Sequence, residues 1–277
     1  MDGKKFKFVL LFLMFFQSCC LLAEPEVVKI SNSTKNEVSA SRVFEVKTTC
    51  ISKISQPIIF WAKSFIEKRK RGEFFEVPFI SIAGCSAVGK TEFAKGLKIE
   101  LEKEKIEVEI LKQDDFIMPN KAGCGNFAHP WLNHKEMHRV INDIKNGQLH
   151  ISRPRYDWVS RTVTYETLDL TKVDIILFEG LYVLNSDSPY DFNRYANIHI
   201  FIDAAEEDII KWDWQREKDS ANSCYIPMSK KKFNKTVVRN MRDYHKNIFP
   251  NKKKADFIIE KDKNHNYSLI VTRLITQ

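Results

Sequence analysis

The 277-residue sequence carries no internal repeat and no low-complexity tract, so nothing in it points to a repeat array or a biased fibrous segment. Its cysteines form no CxxC pair and no metal-ligand spacing. Cys50, Cys85, Cys124 and Cys224 therefore read as free thiols. No secure membrane span is visible either. The apolar run Phe8–Phe16 is short of the roughly 20 residues that cross a bilayer. The net charge of +8 is gathered into short runs, chiefly Lys4, Lys5 and Lys7, Lys68–Arg71, Lys230–Lys232 and Lys252–Lys254. Such runs read as solvated faces, or as cations facing phosphates, before they read as a nucleic-acid surface.

The N-terminus reads separately from the rest. Basic residues, the run Phe8–Phe16 and a small residue at Ala23 have the form of a secretory leader over residues 1–23. Lipid attachment at Cys19 or Cys20 and a buried helix are the alternatives. The compartment stays open between export and, with the leader unused, the cytoplasm.

What is present is one decisive stretch. Gly84-Cys85-Ser86-Ala87-Val88-Gly89-Lys90-Thr91 fits G-x-x-x-x-G-K-[ST] without a mismatch. The two glycines let the backbone curl around a phosphate chain; Lys90 then reaches the β/γ-phosphates and the Thr91 hydroxyl is placed for Mg²⁺. The apolar run Val77–Ala83 reads as the strand entering this loop, and Thr91–Leu101 as an amphipathic helix leaving it. That helix aims its positive dipole end at the phosphates. The stretch predicts a nucleoside triphosphate site.

Residues 24–53 are Ser-, Thr- and Asn-rich and read as a linker, and residues 54–277 as the folded domain, opening with an amphipathic helix over Ile54–Arg71. Strand-like and helix-like segments then alternate. Strands are expected at Ile106–Leu111, Val173–Phe178, Ile198–Ile202 and, last, Ala255–Ile259, with helices at His134–Asn146 and Phe233–Ile248. This alternation predicts an α/β fold with a mainly parallel, doubly wound sheet in three layers. Ligands in such sheets sit beyond the carboxyl ends of the strands, where Gly84, Asp114 and Glu179 all fall. Of the acids Asp114 and Asp115, one is oriented to take a proton from a substrate hydroxyl, unless both belong to a turn or cap. Glu179 closes an apolar strand and suits a Mg²⁺ contact. Arg216 reads as a helix residue able to neutralise charge at the phosphates.

The loop, Gln113-Asp114-Asp115-Phe116, Asn126-Phe127-Ala128-His129-Pro130, Pro154-Arg155-Tyr156-Asp157-Trp158, Phe178-Glu179-Gly180-Leu181 and Ala255–Ile259 follow one another in the order of the phosphoribulokinase/uridine kinase family. From about Val77 to Ile259 the chain resembles that family. The resemblance implies a P-loop NTPase fold with a helical lid, ATP and Mg²⁺ as cofactors, and transfer of the γ-phosphate to a hydroxyl of a small metabolite. It implies Asp114 as catalytic base, Lys90 as the phosphate-binding lysine, Thr91 and Glu179 at the metal, and Arg216 on the lid helix.

The subfamily signals conflict. Asn126–Pro130 and Tyr156–Arg161 look like uridine kinase, yet Ala128 stands where that enzyme has Asp, and Arg161 where it has His. Val77–Ile80, Trp212-x-x-x-Arg216 and Asn247-Ile248-Phe249-Pro250 look like bacterial type I pantothenate kinase, in which a His stands at the Trp158 position. Gln113–Phe116 is also similar to nicotinamide riboside kinases. A uridine-like nucleoside is the first expectation for the acceptor and pantothenate the second, with Tyr156, Trp158, Arg161 and His129 as contact residues. The partner expected is this small molecule; no nucleic acid and no membrane span beyond the leader are expected, and a homodimer stays open. A non-catalytic nucleotide sensor and a secreted host-interaction protein are the rivals from other classes. The leader sits uneasily with ATP, which is scarce outside cells; delivery into a host cell, an ATP-containing lumen or an uncleaved anchor would each reconcile the two.

Overall fold

A computed structural model of the chain describes residues 45–48, 50–73, 75–119, 131–158, 160–219 and 228–272. In chain order the strands are β1 (Glu45–Thr48), β2 (Phe79–Gly84), β3 (Val108–Lys112), β4 (His150–Asp157), β5 (Thr162–Asp169), β6 (Ile175–Glu179), β7 (Ile198–Ala204), β8 (Phe257–Lys261) and β9 (Tyr267–Val271). The helices are α1 (Ile51–Lys70), α2 (Lys90–Lys103), α3 (His134–Lys145), α4 (Glu206–Lys218) and α5 (Lys230–Asp243).

Seven strands form one sheet in the order β1-β9-β8-β7-β2-β6-β3. From β3 through β8 every pairing is parallel. Only β9 runs against its neighbours. All residues of β2 and β6 are buried on both faces, the signature of a parallel sheet covered by helices on each side. Helix α2 lies over β2, β3 and β6, and α1 lies over α2 and reaches β1 and β9. The expected strands and helices are all found, with small shifts at their ends.

Four features differ from what the sequence predicts, the last being the hairpin described below. Glu45–Thr48 and Ile51–Ile54 fall mostly within the span read as linker, yet the first is a strand on β9 and the second opens α1. Strand β9 follows the segment read as the last strand. The long helix expected over Phe233–Ile248 changes character at Tyr244, where it widens into a π-turn to Ile248 and then tightens into a 3₁₀ segment, Phe249–Lys254. The basic run Lys252–Lys254 inside that segment is only partly a solvated face. Lys252 is paired with Asp203 at 2.6 Å, and Lys254 donates to Ser186 and Asn251.

Strands β4 and β5 form a separate antiparallel hairpin. Its first strand packs on α3 and on the 3₁₀ turn Gln113–Phe116. The leader, Cys124, Ala128, His129 and Cys224 lie outside the described residues. Among the described residues no helix is long and apolar enough to cross a membrane.

Candidate active site

Strand β2 ends at Gly84 because nothing larger fits there. A Cβ at Gly84 would lie 2.4 Å from the Ile202 carbonyl oxygen of the neighbouring strand. Ala87 and Gly89 then take positive φ, at 61° and 100°, so the chain reverses its curl and α2 starts at Lys90. A concave run of backbone opening onto a helix N-terminus is a ready anion cradle.

Two side chains of that cradle are tied down. The Lys90 ammonium donates to the Cys85 carbonyl at 2.8 Å, and the Thr91 hydroxyl donates to Glu179 Oε1 at 2.8 Å. Glu179 is the last residue of β6 and is buried, so β2 and β6 deliver hydroxyl and carboxylate to one point. Asp114 arrives from β3 on the turn Gln113–Phe116. It keeps solvent access as a residue, but protein crowds its carboxyl group; that desolvation, with the Glu179 charge second, raises its pKa against the pull of Lys90 and Arg216. Burial lowers the pKa of Lys90, with Glu179 and Asp114 opposing. Arg216, on α4, donates to Ser86 Oγ of the loop at 3.3 Å and to Asp213 on its own helix.

The adjacent acids separate cleanly. Asp115 is buried and paired with Arg155 of β4 at 2.7 Å, a bond that docks the hairpin. Asp114 is left within reach of the charges of Glu179, Lys90 and Arg216. At the hairpin tip Tyr156 is buried and Trp158 half exposed, their rings 5.0 Å apart and nearly perpendicular. Arg161 turns the chain there with a φ of 56°. These three form a second cluster, joined to the Asp114 turn through Arg155. Gly84, Ser86, Lys90, Thr91, Asp114, Glu179 and Arg216 form the first.

Lys261 reaches the same loop from β8. This residue ends β8, its ammonium lies 3.4 Å from the Val88 carbonyl and 4.6 Å from the Trp212 ring centre, and Trp212 stacks on His265 at 4.8 Å. The signal of Lys261 in the sequence is weaker than that of Glu179, because Glu260 stands between Lys261 and the apolar run Phe257–Ile259.

Cys85 is held inert. Burial pushes its thiol up to about 12, although Lys90 pulls the other way. With a pKa raised that far, the nucleophilic thiolate is scarce at neutral pH. Iodoacetamide at pH 8 is therefore expected to leave Cys85 unmodified in the native protein while alkylating the exposed Cys50, as read by peptide mass spectrometry; denaturant should abolish the difference.

The profile of the Phosphoribulokinase / Uridine kinase family matches residues 79–268. The chain belongs to this family. Among curated relatives it is similar to pantothenate kinase of Vibrio vulnificus strain YJ016, 28% identical over 71% of this chain and 74% of that one. Pantothenate kinase of Escherichia coli O1:K1 / APEC is 27% identical over 88% of each chain. Among solved structures, D-glycerate 3-kinase from Cryptococcus neoformans var. grubii superposes with a TM-score of 0.59 at 11% identity, over 76% of this chain and 96% of that one. Phosphoribulokinase from Rhodobacter spheroides gives 0.50 at 18% identity, over 68% and 71%. These likenesses establish the shared P-loop fold. As a member of the family the chain is a kinase that phosphorylates a hydroxyl group of a small metabolite.

Proposed function

We propose that the chain is a Mg²⁺-ATP-dependent kinase whose acceptor is a small hydroxy acid of the pantothenate type. The observation that carries the kinase reading is the convergence of Thr91, Glu179, Lys90 and Asp114 at the ends of three adjacent parallel strands, with Thr91 and Glu179 in contact at 2.8 Å. Hydroxyl and carboxylate oxygens suit Mg²⁺, which takes one or two protein oxygens and completes its shell with phosphate and water. When bound, Mg²⁺ supplies positive charge against the β- and γ-phosphates.

The chain's own groups do the rest. The curled loop and the α2 N-terminus hold the phosphates, and Lys90 carries its charge to them. Asp114 accepts the proton of the acceptor hydroxyl as that oxygen attacks the γ-phosphorus. Arg216 reaches over Ser86 and neutralises charge on the transferring group. Lys261, with the Trp212–His265 stack beside it, offers an aromatic platform at the outer side of the loop for the nucleotide base.

The acceptor reading is supported by pantothenate kinase relatives that align over most of the chain and by Arg161, a cation beside Tyr156 suited to a carboxylate. A uridine-like nucleoside is the second reading, favoured by the Tyr156–Trp158 pair, on which a base could stack. The test is ADP release by the purified protein with Mg²⁺-ATP and pantothenate, uridine, cytidine, nicotinamide riboside or glycerate singly. Turnover is expected with pantothenate. Turnover with uridine alone selects the second reading, and a protein that binds no ATP would sink the kinase reading itself.

A further inference from the structure

We propose that Gln113 is a positioning residue that clamps the turn bearing Asp114 to the strand end bearing Glu179. The inference rests on the kinase reading above and adds to it the device that sets the spacing between base and metal carboxylate.

The sheet itself does not set that spacing. The β3–β6 ladder ends with Lys112 opposite Glu179, so Asp114 lies two residues beyond the last pair. The turn that follows is only four residues of 3₁₀ helix, and its start carries no side-chain cap. Backbone of this kind is weakly held on its own. The Asp115–Arg155 pair ties it to the hairpin; something else has to fasten it to the end of β6.

Gln113 is placed to do so. It is 1% exposed, and a buried amide requires partners. Its Oε1 accepts the Tyr182 backbone N–H at 2.9 Å, while Nε2 donates to a weak acceptor, Met137 Sδ, at 3.9 Å. The side chain lies flat across Gly180: a Cβ there would sit 2.4 Å from Gln113 Cβ and 2.6 Å from its Oε1. Gly180 in turn donates to the Ile82 carbonyl of β2 at 3.1 Å. The amide thus ties the turn after β3, which carries Asp114, to the chain just past β6, whose last residue is Glu179; Gly180 itself ties that chain to β2. Packing alone would be met by an apolar side chain of equal length; the acceptor oxygen is what the Tyr182 N–H needs.

Two variants test this. Gln113→Met keeps length and burial but removes the acceptor, and Gly180→Ala keeps the glutamine but pushes it from its seat. Steady-state ADP release is measured with the fastest acceptor of the panel above or with water as acceptor if none is faster. The wild type is measured first, together with Mg²⁺-dependent ADP binding. Failure of both there removes the kinase reading, and this proposal with it, before any variant is compared. In both variants kcat is expected to fall by about 10–100-fold, the cost of misplacing a reacting group by a fraction of an ångström to one ångström. KM for ATP should stay within about 3-fold, since the loop is untouched. Unchanged kcat overturns the proposal. So does a fall in kcat matched by a rise in KM for ATP, or one that tracks lost melting temperature and ADP binding.

Discussion

Asp114→Asn is expected to lower kcat by about 10²–10⁴-fold, the usual worth of a positioned general base, while ATP binding persists. The asparagine preserves shape and polarity but cannot take the proton of the attacking hydroxyl. Direction of charge makes the variant informative in a second way. Crowding and the Glu179 carboxylate raise the Asp114 pKa in the free enzyme, so the acid limb of the wild-type kcat/KM profile for ATP should lie above the ordinary carboxylate range. Activity should fall as pH drops through that raised value, and the residual activity of the variant should lack this limb.

The stability consequence has the opposite sign to that of a paired carboxylate. A raised folded-state pKa means that the native protein holds the proton more tightly than the unfolded chain does. Ionised Asp114 therefore opposes folding above the unfolded pKa, and the penalty fades as the pH is lowered. Asp114→Asn should melt at the same temperature as wild type or higher at pH 7, and the gap should close in acid. A variant that is inactive because it is unfolded gives the reverse, so calorimetry separates loss of the base from loss of the protein.

The parts of this site that were legible in the sequence share one property: their signal is local. The phosphate loop is contiguous, and Glu179 stands out as an acid closing an apolar strand. The parallel core declared itself through runs such as Ile175–Phe178, buried on both faces. Other features needed the third dimension. Strand β5 reads Thr-Val-Thr-Tyr-Glu-Thr-Leu-Asp and is exposed along most of its length, so no alternation of apolar and polar residues announces it. Asp114 and Asp115 are equivalent in sequence and differ only because Arg155, 40 residues on, pairs with one of them. Gln113 is a plain polar residue until Gly180 and Tyr182 fold against it. Strand β1 hides in a Ser- and Thr-rich stretch because an edge strand of four residues is specified by its partner β9 rather than by its own composition.

Arg216→Ala is expected to cost about 10³-fold or more in kcat, within the range found for arginines that neutralise a transferring phosphoryl group. Lysine should be a poor substitute. The Arg216 contacts to Ser86 of the phosphate loop and to Asp213 one turn back on α4 both come from one nitrogen, Nη2; what lysine lacks is the planar fork that meets a phosphoryl group bidentately. Arg216→Lys should recover little of the lost rate. Asp213 is buried, and burial raises its pKa while Arg216 pulls it down. Taking the arginine away leaves that carboxyl group poorly compensated, at a cost of about 1–3 kcal/mol in stability. Arg216→Ala should therefore melt below wild type, and adding Asp213→Asn should restore the melting temperature without restoring kcat. If the double variant recovers turnover as well, Arg216 serves only to balance Asp213, and its role at the phosphates is lost.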